Sequence, residues 1–200
     1  MAAAALVAIV LSAVMARVPY LPGDVAVARA IQSVTPTDIQ WAQLVTATAK
    51  WPNLFILAGI VAVASWLMAG RRAGLLALLS FGAMLGLDKL LRLLLFQARP
   101  SAELISVVDP GMKGSAFPST FALVYVGTLG YLAVVSLART KGWLGMVVAL
   151  ACIILLALGL TARVALGAHW PSDVLVSYLY GFVWAGVLLF WIPVRDERAR

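Results

Sequence analysis

Apolar segments close to 20 residues long recur along this chain, at roughly 2–19, 53–70, 74–97, 118–138, 143–162 and 172–192. As helices, segments of that length match the hydrocarbon thickness of a bilayer. The sequence therefore predicts an all-α, polytopic membrane protein built as a six-transmembrane-helix bundle. Only 12% of the residues are charged, about half the share expected of a soluble domain, and the mean hydropathy is +1.02. No polar linker is long enough to divide residues 1–200, which are read as one domain. The net charge of +7 lies in short loops. There it reports topology rather than binding to nucleic acid. Cys152 is alone in an apolar run, so no internal disulfide is expected. No metal-ligand cluster is present, so neither a metal nor a cofactor is expected.

The first apolar segment ends in Val14-Met15-Ala16, which looks like a signal-peptidase site. It lacks a basic leader and runs directly into Arg17, and it is read as a retained membrane helix. Residues 20–52 are the longest polar stretch. A helix start is predicted at Thr35–Asp38, with Ile39, Ala42 and Val45 recurring at near-helical spacing. One or two short interfacial helices between the first two spans, or an ordinary extramembrane loop, both fit this pattern.

Loop charges set the orientation. Arg71 and Arg72 join spans two and three, Arg139 and Lys141 join spans four and five, and Arg195, Arg198 and Arg200 close the chain. With six spans these regions fall on one side, which the positive-inside rule makes cytoplasmic together with both termini. Loops 20–52, 98–117 and 163–171 then face the periplasm or exterior of what reads as a bacterial inner membrane.

Several basic residues break that rule. Arg92 and Arg99 are seven residues apart, about two helical turns, and are predicted to share a helix face. Arg163 lies near the same membrane surface. Snorkelling explains one such cation more easily than three. Three arginines without a matching acidic cluster suggest an anionic ligand, a phosphate above all. Pro118, Ser119 and Thr120 are expected at the start of span four, where a helix N-terminus offers free N–H groups to an anion. Lys113 is read as solvated. His169, the only histidine, follows Arg163 by six residues and precedes Asp173 by four. If Pro171 opens a helix, Asp173 is close enough to hold one imidazole nitrogen while the other faces outward. A carboxylate that orients an imidazole makes a nucleophile or a base of it.

In order, these pieces resemble the three-part pattern of the type 2 phosphatidic-acid phosphatase superfamily of membrane lipid phosphatases: K-x6-R-P, P-S-G-H and S-R-x5-H-x3-D. Arg92-x6-Arg99-Pro100 matches the first part with arginine in place of lysine. Ala162-Arg163-x5-His169-x3-Asp173 matches the third with alanine in place of serine. The middle part reads Pro118-Ser119-Thr120-Phe121, so threonine replaces the glycine and phenylalanine the histidine. The resemblance spans about residues 50–192.

The resemblance implies a six-helix bundle with a metal-free site at the outer membrane face. It makes His169 a nucleophile that forms a phosphohistidine and Asp173 the residue that orients it. Arg92, Arg99 and Arg163 would hold the phosphoryl oxygens, helped by the backbone around Ser119 and Thr120. The second histidine of the family protonates the leaving group, and Phe121 cannot. A lipid alkoxide needs that proton, whereas a phosphate leaving group departs without it. The expected activity is therefore hydrolysis of a polyprenyl diphosphate or related lipid phosphate at the outer leaflet, among membrane lipids. The alternatives are an impaired relative that binds, scaffolds or transports a lipid phosphate, and a channel that uses the arginines as an anion path. The sequence carries no reading of oligomeric state.

Overall fold

A computed structural model describes residues 1–140 and 142–193. The charges at Lys141, Arg195, Arg198 and Arg200 that entered the topology argument lie outside the described residues. Every regular element among the described residues is helical. A segment in hydrocarbon has no water to bond its amides, and a helix satisfies them internally.

The chain runs through α1 (Ala2–Met15), α2 (Asp24–Val34), α3 (Gln40–Ala47), α4 (Asn53–Ala69) and α5 (Arg71–Leu94). It then passes through an irregular segment into α6 (Thr120–Tyr125), a π-helical turn (Val126–Gly130) and α7 (Tyr131–Arg139), followed by α8 (Trp143–Ala165) and α9 (Pro171–Leu189). Among the described residues four stretches are long and apolar enough to cross a membrane: Arg71–Leu94, Thr120–Arg139, Trp143–Ala165 and Pro171–Leu189. The helices at the first two expected spans, α1 and α4, are apolar but shorter, at 14 and 17 residues. Two helices, α2 and α3, occupy the polar stretch between them.

The stretch from α6 through α7 is the centre of the bundle. Its membrane window is 83% buried, against 28% for that of α8. The central helix packs against α4, α5, α8 and α9. Its core is a continuous apolar cluster containing Phe121, Leu123, Tyr125, Val126, Leu129, Leu132 and Val135. The outward faces of α1, α4, α5 and α8 carry exposed Leu6, Ile9, Phe55, Ile60, Leu75, Leu79, Met146, Leu150 and Ile154. In water such a surface would be an aggregation site, and in lipid it is the solvated face.

Two local endings differ from the sequence expectation. α5 stops at Leu94, and Leu95 is extended (φ −131°, ψ 141°). The cause is tertiary: the N–H of Gln97 donates to Ser115 Oγ, and its carbonyl accepts from Ala116 N–H. Arg99 therefore lies five residues past the helix and shares no helix face with Arg92, contrary to the two-turn reading. The central helix begins at Thr120 with Ser119 as its cap, the Ser119 Oγ accepting from Ala122 N–H at 3.4 Å. Pro118 precedes the helix rather than opening it.

Candidate active site

The loop between α8 and α9 places the histidine. Arg163 is near the end of α8, the chain turns at Gly167 with φ +61°, and Pro171 opens α9. The residue before a proline favours extended backbone, and Trp170 is extended (φ −71°, ψ 151°). Asp173, in the first turn of α9, accepts the Trp170 N–H on Oδ2 at 2.8 Å. The same Oδ2 lies 3.6 Å from His169 Nδ1. That is longer than a formed hydrogen bond, though catalytic contacts often tighten only once substrate is bound. His169 is 3% exposed and Asp173 fully buried.

A second carboxylate secures this turn from far away in sequence. Asp24, the first residue of α2, accepts from Ser172 N–H at 3.0 Å, from Ser172 Oγ at 2.7 Å and from Leu21 N–H at 2.8 Å. It is buried. Ser172 is thus held by α2, which leaves its neighbour Asp173 free to face the imidazole.

The three arginines occupy different settings. Arg92 is largely engaged by the protein: its Nε bonds Asp88 at 3.1 Å, and its two terminal nitrogens bond the carbonyls of Ser115 and Pro118 and the hydroxyl of Thr120, leaving one N–H of Nη1 open. Thr120 in turn donates to Asp88 at 2.8 Å. Arg99 donates to the carbonyl of Ala168, the residue before His169, at 2.8 Å. Arg163 is 9% exposed; it makes one long contact of 3.4 Å to Thr46 of α3 and lies over the Phe121 ring, 5.7 Å from its centroid. So Arg99, Arg163 and His169 come together, while Arg92 stands beside them as a clamp on the loop before α6. Ser119 is fully buried, and its N–H donates to Ser177 Oγ at 3.2 Å, so that amide is already engaged. Phe121 is buried against Tyr125, with ring centroids 4.1 Å apart.

Several buried polar atoms here have no partner: Arg99 Nε, Arg163 Nε, His169 Nδ1 and Asp173 Oδ1. Native proteins leave few such groups, and each calls for an explanation. Two cationic donors and an imidazole unpaired around one loop are what a pocket for an anion requires. Burial first, and the charges of Arg163 and Arg99 after it, hold the His169 imidazole well below its ordinary titration range. Burial and the neighbouring Arg92 lower Arg99. The imidazole is therefore neutral at physiological pH.

Four contributors were not anticipated. Asp88 precedes Arg92 by four residues, the helical ion-pair spacing, and that spacing was visible in the sequence. Gln97, two residues before Arg99, is buried, with both amide atoms of its side chain unpartnered. Asp24 and Thr46 arrive from α2 and α3 and left no local signal. Among the described residues no group of three or more metal-type side chains is assembled.

The sequence matches the profile of the PAP2 superfamily over residues 1–197. The chain belongs to the PAP2 superfamily. The match reaches past the motif-bearing part into α1, α2 and α3, the region that supplies Asp24 and Thr46. A solved structure described as the first transmembrane PAP2 type phosphatidylglycerolphosphate phosphatase from Bacillus subtilis shares the fold. It has a TM-score of 0.73 and 20% sequence identity, covering 100% of this chain and 96% of that one. No curated protein gives a significant sequence match. The chain thus has the fold of a PAP2 membrane phosphatase and is an integral membrane protein.

Proposed function

We propose that this PAP2 protein is a lipid phosphatase that removes phosphate from a polyprenyl diphosphate or a related lipid phosphate through a phosphohistidine on His169. The observation that carries the reading is the set of unpartnered buried groups on Arg99, Arg163, His169 and Asp173. His169 attacks phosphorus through the nitrogen facing away from Asp173. The bond from phosphorus to the leaving oxygen breaks, and a lipid monophosphate departs carrying the electron pair. Water then cleaves the phosphohistidine to release phosphate. Arg99 and Arg163 stabilise charge on the transferred group. Arg92, tied to Asp88 and Thr120, fixes the loop and helix start that wall the pocket.

Phe121 favours a second reading, in which the site binds or carries a lipid phosphate without turning it over. Phosphate release by purified protein in detergent, from a panel of prenyl diphosphates, phosphatidic acid and phosphatidylglycerol phosphate, separates the two. Release from at least one substrate supports the enzyme. Saturable binding with no release supports the carrier.

The proposal takes α1, α4, α5, α6 with α7, α8 and α9 as six spans in one domain, residues 1–200, with both termini cytoplasmic. The loop charges Arg71, Arg72 and Arg139 motivate this orientation. In a background with Cys152 replaced, Arg72→Cys and Thr140→Cys are expected to be shielded from an impermeant thiol reagent in intact cells, and Met112→Cys to react. Labelling of Thr140→Cys without labelling of Met112→Cys would invert the orientation and remove the site from the outer face.

A further inference from the structure

Arg163 is a nearly fully buried cation that lacks a counter-ion. Among the described residues no carboxylate lies within ion-pair distance of it. Its Nε is unpartnered, and its one hydrogen bond, to Thr46, is long. Burying a charge without a partner is strongly unfavourable. What the protein places against this guanidinium is the face of Phe121, at 5.7 Å from the ring centroid and within the range of a cation–π contact.

The ring is itself packed between Tyr125 and α8. Tyr125 stacks on it at 4.1 Å with an interplanar angle of 35°, and the Tyr125 hydroxyl bonds the hydroxyl of Thr48, the residue that follows α3. Gly159, one turn before Arg163 on α8, leaves the space in which the pair sits. A Cβ there would lie 2.8 Å from Phe121 Cε1 and 3.0 Å from the Tyr125 ring. An alanine at residue 159 would displace the stack. Helix α8 thus provides both the arginine and the recess for the ring beneath it.

We propose that Phe121 is a positioning residue whose ring face holds the Arg163 guanidinium in the phosphate pocket. At residue 121 the chain then has a cation platform where a histidine would have supplied a proton. This deepens the proposed function and rests on it. It favours substrates whose leaving group needs no proton, because the site has charge placement without general-acid capacity at that position.

The test replaces Phe121 by 4-fluoro-, difluoro- and pentafluorophenylalanine, which weaken the ring quadrupole in steps while nearly conserving shape. It compares them with Arg163→Ala. Measured quantities are kcat and KM for a prenyl diphosphate, the inhibition constant of orthovanadate and thermal stability in detergent. The expected result is a monotonic loss of vanadate affinity, roughly three- to tenfold across the series, at nearly constant stability. Phe121→Leu, which keeps an apolar side chain but no ring, should match or exceed the end of the series. If Arg163→Ala abolishes vanadate binding while the fluorinated series is flat, the platform is wrong and the phosphatase reading stands. If Arg163→Ala leaves vanadate binding and turnover intact, the phosphate pocket itself is wrong and the platform falls with it.

Discussion

His169→Ala is expected to abolish phosphate release from every lipid phosphate, a loss of at least about 10⁴-fold, because the chain contains no other histidine and a covalent route leaves no bypass. Brief reaction with a ³²P-labelled substrate, followed by alkaline quench, should label the wild type on an acid-labile, base-stable nitrogen and leave the variant unlabelled. Label that persists in His169→Ala would remove the nucleophile from this site. The acid side of the pH profile adds a second reading of the same residue. The pKa of a free histidine is near 6.5, and the folded protein holds His169 well below it. The neutral nucleophile is therefore present at pH 7 and persists as pH falls through 6.5. The acid limb of kcat/KM assigned to this group should lie well under that value. Folding stability runs the other way: below about pH 6.5 the unfolded chain takes up a proton that the folded one refuses, so stability declines as pH drops.

Phe121→His is expected to raise monoester hydrolysis by about 10²-fold, the typical contribution of one general acid. Diphosphate hydrolysis should fall by no more than about tenfold, the upper cost of weakening the phenyl platform under Arg163. In the wild type, phosphatidic acid should accordingly be the poorer substrate by a similar factor. Rates on both substrate classes, measured for wild type and variant under one detergent condition, decide it. A wild type that cleaves phosphatidic acid as fast as a prenyl diphosphate would defeat the leaving-group reasoning. Relieving the bulk of Thr120 with a glycine looks attractive from the motif alone. The structure shows its penalty: the Thr120 hydroxyl joins Asp88 to Arg92, so Thr120→Gly also loosens that clamp. The single substitution is the cleaner experiment.

Membrane class, helical content and the pieces of the candidate site were legible in the sequence because each has a local cause. Apolar length marks a helix for the bilayer. The spacing of His169, Pro171 and Asp173 marks a capped helix start with a histidine before it, and α9 begins there. The misreadings have tertiary causes. Nothing within Leu93–Arg99 says that Gln97 will pair with Ser115 and Ala116, so helical spacing was extended past Leu94 and Arg99 was put on one helix face with Arg92. Asp24 is 148 residues from Ser172, and no period or motif links them. Asp88, four residues before Arg92, was left out of the charge count there, so the clamp it makes with Arg92 and Thr120 went unread. The Phe121–Arg163 contact required knowing which faces of α6 and α8 meet.

The π-helical turn at Val126–Gly130 sets the azimuth of the second motif. A wide turn inserts one residue into a helix, and each residue of an α-helix advances about 100° around the axis. Tyr131 and Ser136, below the turn, are anchored in the core, with the Tyr131 hydroxyl bonded to the Ala73 carbonyl of α5. Ser119, Thr120 and Phe121 above it therefore take their compass bearing from an irregularity five or more residues away. Removing a single residue from the turn, Thr128 for example, would restore α-helical winding and swing Phe121 about 100° away from Arg163. All three motifs would stay intact in sequence while orthovanadate inhibition and turnover were lost together. If such a deletion folded and kept its vanadate affinity, the bearing would have to come from the loop before Ser119 instead.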